Sequence, residues 1–177
     1  METITPPKAE LYPTPRVTVD CVVMAGDYIL VVKRGGEPHK GKYALPGGYF
    51  NPYDTVVNGV EIKSDDSLKS AAIRELREET GLIIENDEYE DLVLIGTYDG
   101  RDRHPQARVI NIAYGIDFLD DEAVRKMTIA GDDATEVRWL SVNDEKDLEI
   151  LKNLAFDHSQ IVADFFFDFV LNSVYVD

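Results

Sequence analysis

The stretch "SLKSAAIRELREETGL", Ser67–Leu82, carries the densest chemical information in the chain. It predicts a helix over 67–80, with Asp66 or Ser67 placed to cap its start and Gly81 suited to the left-handed position just past its end. On that helix Glu75, Glu78 and Glu79 fall within an arc of roughly 100°, because positions three and four apart share a face. The same arc continues into Leu68, Ala71 and Ala72, so the carboxylates extend a small apolar face. Glu75 and Glu79, at i and i+4, repel each other by roughly a few tenths of a kcal/mol when exposed and by more when partly buried. A solvated helix with ordinary ion pairs, such as Arg74 with Glu78, is the plain alternative. Carboxylates converging on an inward face are better explained by a hard divalent cation that takes oxygen ligands. Mg²⁺ is the first choice and Mn²⁺ the second, since Mg²⁺ favours a few carboxylates plus waters and phosphate oxygens.

Working outward, "LPGGYFNP" (45–52) is a Gly- and Pro-rich loop, and "DTVVNGVEIKSDD" (54–66) reads as a hairpin, because β-branched runs flank Asn58-Gly59. Upstream, "RVTVDCVVM" and "YILVVK" are strand-like, with "AGD" as the turn between them. Downstream, "LVLIGTY" and "ARVINIAYGIDF" are two more strands, and a further strand ends at Trp139. Residues 144–154 are weakly helical. A final helix is better marked: Asp157 and Gln160 form a capping-box variant, and Ile161, Phe165 and Phe169 repeat every four residues, as do Val162, Phe166 and Val170. Strands and helices in this order predict an α/β layered fold with a mixed sheet.

The 177 residues are 44% hydrophobic, enough for one substantial core, and we expect a single domain over 1–177. The net charge of -16, from 34 acidic and 18 basic residues, argues against nucleic-acid or anionic-membrane partners, which select an excess of Lys and Arg. The single cysteine, Cys21, lies in an apolar run and reads as a buried, inert thiol. No signal-peptide core and no stretch of about 18 apolar residues is present, so a cytoplasmic protein is expected.

"RELREETGL" (74–82) resembles the core of the Nudix box, G-x5-E-x7-R-E-U-x-E-E-x-G-U, where U is a bulky aliphatic residue. Arg74, Glu75, Leu76, Glu78, Glu79, Gly81 and Leu82 fill its right-hand fixed positions. The left half is displaced: five residues separate Gly48 from Asp54, while seven separate Asp66 from Arg74, and Asp66 stands twelve positions beyond Asp54. A twelve-residue insertion, filled by the hairpin at 55–65, accounts for both spacings. The resemblance implies the Nudix fold, an α/β/α sandwich in which the box forms a loop-helix-loop. "VTVDCVV", "GKYALPGGYFNP", "GTYDGRDRHPQARVINIAYG", "GDDATEVRWL" and "LAFDHSQIV" further resemble Nudix enzymes that hydrolyse ADP-ribose, among them the Nudix domain of bifunctional nicotinamide mononucleotide adenylyltransferases. Related domains sense ADP-ribose in regulators of NAD metabolism.

What the resemblance implies for the site follows residue by residue. Glu75, Glu78 and Glu79 are the expected metal ligands, with the Gly48 carbonyl as a further one, and Arg74 holds box carboxylates. Glu75 ranks first as general base, with Asp132, Asp133 and Glu136 of the acidic loop as rivals. Arg101, Arg103 and Arg108 lie in the segment that resembles the substrate-contacting region, although solvated loop arginines are the equal alternative for Arg101 and Arg103. Arg34 and Tyr43 frame the nucleotide, Tyr43 standing where the family more often has Trp. The expected reaction is hydrolysis of ADP-ribose or a close relative to AMP and ribose 5-phosphate, in a homodimer. A non-hydrolysing ADP-ribose sensor, or a hydrolase of a dinucleotide or nucleoside triphosphate, is the alternative. His158 is expected as a cap or packing residue. The hairpin is expected as a flap over the site or a dimer contact, against a solvent-exposed loop extension.

Overall fold

Strand β1, Arg16–Ala25, is the axis of the fold, and its sequence shows why. Val22 and Met24 pack with Ile29, Val31 and Leu140 on one sheet face, while Cys21 and Val23 pack with Leu30, Leu76 and Ile116 on the other. A strand covered on both faces reads as an unbroken apolar run rather than an alternating one. The computed structural model describes residues 14–85, 88–118, 122–126, 128 and 134–167.

One edge of β1 is shared by two strands. Its end pairs antiparallel with β2, Tyr28–Arg34, across a two-residue turn at Gly26-Asp27, and its start pairs antiparallel with β4, Gly47–Tyr49. The short β3, Tyr43–Ala44, pairs with β2 and leads the chain into β4. The other edge of β1 pairs parallel with β8, Val109–Asp117, from Arg16↔Val109 to Met24↔Asp117. Antiparallel β9, Ala134–Ser141, extends the sheet beyond β2, and β7, Val93–Tyr98, extends it beyond β8. The sheet is mixed, as the sequence predicts.

Helices cover both faces. Helix α1, Leu68–Thr80, and the short α2, Glu122–Lys126, bring Leu76 and Val124 to the Cys21–Val23 face. Helices α3, Glu145–Leu151, and α4, His158–Phe165, bring Leu151, Ile161, Val162 and Phe165 to the opposite face. The result is the expected α/β/α sandwich. Ser67 is the N-cap of α1: its hydroxyl accepts the Ser70 N–H at 3.0 Å, and Ser70 Oγ accepts the Ser67 N–H at 2.8 Å. Gly81 closes the helix at φ 71°.

Two local expectations need correction. Helix α3 is shorter than the predicted 144–154, because Asp144 serves as its cap, accepting from the N–H groups of Lys146 and Asp147. Asp157 precedes α4 but makes no side-chain capping bond, since Arg103 takes its carboxylate with bonds of 3.0 and 2.7 Å. Phe169 and Val170 lie outside the described residues. Cys21 is buried, and burial, aided by neighbouring Asp20, pushes its thiol up to about 12. Among the described residues no helix is long and apolar enough to cross a membrane.

The hairpin is present as β5, Thr55–Val57, and β6, Val60–Ile62, which among the described residues pair only with each other. Asn58 and Gly59 both take positive φ, 51° and 83°, the requirement of a type I′ turn.

Candidate active site

The register of β4 on β1 sets up the site. Asp20 stands opposite Gly47, Val19 opposite Gly48 and Thr18 opposite Tyr49. The Cys21 N–H to Pro46 carbonyl bond and the Phe50 N–H to Val17 carbonyl bond put Val19 and Gly48 at a hydrogen-bonded position of the ladder. Gly47 and Tyr49 therefore aim their backbone groups away from β1, and α1 supplies the partners. Glu79 Oε2 accepts the Gly47 N–H at 2.9 Å, and Arg74 Nη2 donates to the Tyr49 carbonyl at 2.9 Å. The box helix thus stands where another strand would pair with β4.

This closeness needs glycine. A Cβ at Gly48 would overlap the Glu75 carboxylate, and one at Gly47 would overlap the Val19 carbonyl and the Asp20 carboxylate.

Arg74 ties four acceptors together. Its Nε and Nη2 bond the two Asp65 oxygens at 2.7 and 3.0 Å, and its Nη1 bonds Glu75 Oε1 at 2.7 Å and Glu78 Oε2 at 3.1 Å. Counting along the box points to Asp54 or Asp66 as the supporting acid, yet Asp65 takes the arginine. The inserted hairpin explains the shift. Asp65 and Asn51 clamp its base with two 2.8 Å bonds, Asp65 N–H to the Asn51 carbonyl and Asn51 N–H to Asp65 Oδ2. Asp54 closes the hairpin from the other side, accepting from the Ser64 N–H and hydroxyl, which hold its carboxyl below the usual range. Asp66 is exposed.

The three glutamates differ. Burial pushes the Glu79 carboxyl up to about 8, against the opposing Gly47 N–H, with the charges of Glu75 and Asp20 raising it further. Glu75 is also raised by burial, with Arg74 opposing. Glu78 is not inward: its side chain is 46% exposed and sits at the rim.

Behind Glu79 lies a buried polar group outside the box. His158 Nδ1 accepts the Leu45 N–H at 2.9 Å, so its proton is on Nε2, which faces Asp20 Oδ2 at 3.2 Å. Arg103 Nη2 is 3.9 Å from the same Asp20 oxygen, and its side chain is only 6% exposed, a buried tie between the 99–108 loop and Asp157 rather than a solvated arginine. Beside it, Phe156 meets His39 edge-on at 4.8 Å, stacks with His104 at 5.6 Å and lies under the Arg34 guanidinium at 4.9 Å.

These residues surround one cleft of about 1400 Å³. Its floor includes Thr18, Asp20, Gly47 and Gly48, its acidic wall is Arg74, Glu75, Glu78 and Glu79, and Arg34, Arg103, His104, Phe156 and the hairpin line the rest. Of the other sequence-predicted residues, Arg101 and Arg108 are exposed and not part of the lining, Arg108 lying 3.8 Å from Asp99. Tyr43 is not in the lining either: its hydroxyl donates to Glu136 at 2.8 Å, and Glu136 also takes Lys33 at 3.1 Å. On β9, Glu136 alternates with Leu140 toward the α3/α4 face, away from α1. Asp132 and Asp133 lie outside the described residues.

The donor set fits a hard cation. Glu75 and Glu79 are oxygen donors, and the Gly47 carbonyl, aimed away from β1, is the backbone oxygen available on their side; the Gly48 carbonyl, expected from the sequence as a ligand, is turned instead toward Val19 in the ladder. A cation would relieve the repulsion between the two half-buried carboxylates. Among the described residues no three His, Cys, Asp or Glu side chains are grouped to hold a metal by themselves.

Sequence reasoning passed over Asp20, Asp65 and Phe156, and gave His158 only a cap or packing role. A signal existed for Asp20, a lone acid inside the otherwise apolar "VTVDCVV" of a strand buried on both faces.

The NUDIX domain model matches residues 14–165. The chain is 34% identical over 158 residues to an ADP-ribose pyrophosphatase of Methanocaldococcus jannaschii, covering 89% of this chain and 77% of that protein. It is 28% identical to the ADPR responsive transcriptional repressor NtrR of Acinetobacter baylyi, spanning 54% of its length. Among solved structures it resembles a bifunctional NMN adenylyltransferase/ADP ribose pyrophosphatase from Francisella tularensis complexed with AMP and a Mn ion. The TM-score is 0.73 at 28% identity, over 90% of this chain and 43% of that one.

Proposed function

The chain belongs to the NUDIX domain family, and from that premise we propose that it is a Mg²⁺-dependent hydrolase of ADP-ribose or a close relative, releasing AMP and ribose 5-phosphate. The observation that carries this is the convergence of Glu75 and Glu79 on the Gly47-Gly48 edge of β4, at the floor of a cleft. The 34% identity to an ADP-ribose pyrophosphatase supports the substrate.

In this reading Glu75, Glu79 and the Gly47 carbonyl would hold the cation, with Glu78 adding negative charge at the rim. When bound, Mg²⁺, or Mn²⁺ in its place, neutralises charge on the diphosphate and lowers the pKa of a bound water. Water attacks one phosphorus, the bridging P–O bond breaks, and the bridging oxygen leaves with the other phosphate. Glu75 takes the water's proton: it faces the cleft, whereas Glu136 is spent on Tyr43 and Lys33, which hold its carboxyl below the usual range. Arg74 fixes the carboxylates and does not touch substrate. Arg34 and Arg103 line the cleft, Arg34 as the phosphate or base contact and Arg103 as a support for Asp20.

A sensing role is the second reading, favoured by the likeness to a transcriptional repressor. The complete acid set of α1 speaks for turnover. A homodimer in the cytoplasm belongs to the same proposal, with Phe167, 68% exposed, as apolar surface available to a partner subunit. The test is a substrate panel of ADP-ribose, NADH, diadenosine polyphosphates and nucleoside triphosphates with Mg²⁺ and product identification. ADP-ribose turnover lost in Glu79→Gln supports the hydrolase; tight ADP-ribose binding without turnover supports the sensor.

A further inference from the structure

The β5–β6 hairpin is joined to the acid helix by a rigid linkage. Two-stranded ribbons are marginally stable alone, and among the described residues this one pairs with no other strand. Its base is held by the Asn51–Asp65 clamp, and Asp65 is gripped by the two-pronged guanidinium of Arg74, the same group that holds Glu75 and Glu78. A ribbon anchored this way stands as a fixed wall.

That wall faces the cleft. Val60, Glu61, Ile62 and Lys63 line it. By strand alternation Thr55, Val57, Val60 and Ile62 share one face of the hairpin and Val56 and Glu61 the other. It is the β6 strand that borders the cleft, Val60 and Ile62 giving it the apolar part of that border. Three residues of strand reach roughly 10 Å, about the length of cleft a nucleoside needs.

Strand β4 gives the cleft a direction. Its Gly47 end backs onto Asp20, which meets His158 beside Phe156; its other end runs through Tyr49 to Asn51 and the hairpin. The planar groups Phe156, His104 and Arg34, which line the cleft beside His158, are gathered at the Gly47 end and suit a nucleobase. Glu75 and Glu79 lie between. What emerges from the far phosphate of a linked diphosphate therefore meets the hairpin.

Resting on the reading of the cleft as a site for ADP-linked diphosphates, we propose that the β5–β6 hairpin is a steric specificity element for the group beyond the diphosphate. It admits a single sugar and excludes a second nucleoside.

The test compares ADP-ribose with diadenosine diphosphate, which share base and diphosphate and differ only in that group. In the full-length protein, residues 55–63 are replaced by a short Gly-Ser link, and a second variant, Val60→Ala with Ile62→Ala, keeps the hairpin but trims its face. Both are expected to raise the kcat/KM ratio of diadenosine diphosphate to ADP-ribose, the replacement by on the order of tenfold or more. Damage to the fold lowers both substrates together and cannot produce this gain. If the wild type cleaves ADP-ribose and neither variant moves the ratio, the wall is overturned alone; a wild type that leaves ADP-ribose intact overturns the proposed function with it.

Discussion

His158 Nδ1 accepts the Leu45 N–H at 2.9 Å across 113 residues of sequence, so α4 holds the strand edge that the acid helix leans on. A buried N–H left without an acceptor costs about 1–3 kcal/mol. His158→Ala is expected to lose that much in urea unfolding, whereas His158→Asn, whose side-chain oxygen falls near the Nδ1 position, keeps most of it. Equal losses in the two variants would mean that packing, and not this bond, is what His158 provides.

Metal-free protein is expected to become less stable as pH rises. The Glu79 carboxyl is pushed up to about 8 from an ordinary 4.5. Between those values the folded state keeps a proton that the unfolded state releases, so stability falls with pH, by at most about 1.4 kcal/mol per pH unit. Glu75, also raised by burial, adds in the same direction. The midpoint of thermal unfolding in chelator should drop between pH 5.5 and 8.5, and Glu79→Gln should flatten the slope. Mg²⁺ should restore stability most at the upper pH, because it competes with the proton.

Arg74→Lys keeps the charge and loses the fork that spans Asp65, Glu75, Glu78 and the Tyr49 carbonyl. Each charged hydrogen bond contributes about 1.5–3 kcal/mol, so kcat is expected to fall by roughly ten- to a hundredfold. Amide exchange over residues 54–65 should speed up in parallel. Unchanged exchange there would show that the Asn51 clamp holds the hairpin unaided.

Gly48→Ala puts a methyl group where the Glu75 carboxylate lies. Displacement of a reacting group by about 1 Å can cost about a hundredfold in rate. We expect turnover to fall on that order with far-ultraviolet circular dichroism unchanged, and Mn²⁺ binding, followed by its paramagnetic resonance, to weaken.

The parts of this fold with a strong local signal were legible in the sequence. The α1 helix announced its cap, its stop and its acids, and Asn58-Gly59 announced the hairpin turn. The choice of Asp65 over Asp54 or Asp66 was not legible, because an insertion decouples position in the box from position in space. The polar group of Asp20, His158, Arg103 and Asp157 was hidden for a related reason: its members come from β1, a loop and the start of α4, and only the folded sheet brings them together. Arg103 could not be told from Arg101 by sequence, since both sit in one loop and differ only in what lies beneath them.

The depth of Cys21 has a practical consequence. Its thiol is 1% exposed and pushed up to about 12, so at neutral pH it offers almost no thiolate to an alkylating reagent. The native chain is therefore a silent background for site-directed labelling. A cysteine introduced at Asn58, on the hairpin tip, would be the sole reactive thiol, able to carry a fluorophore or spin label that reports what occupies the space beneath.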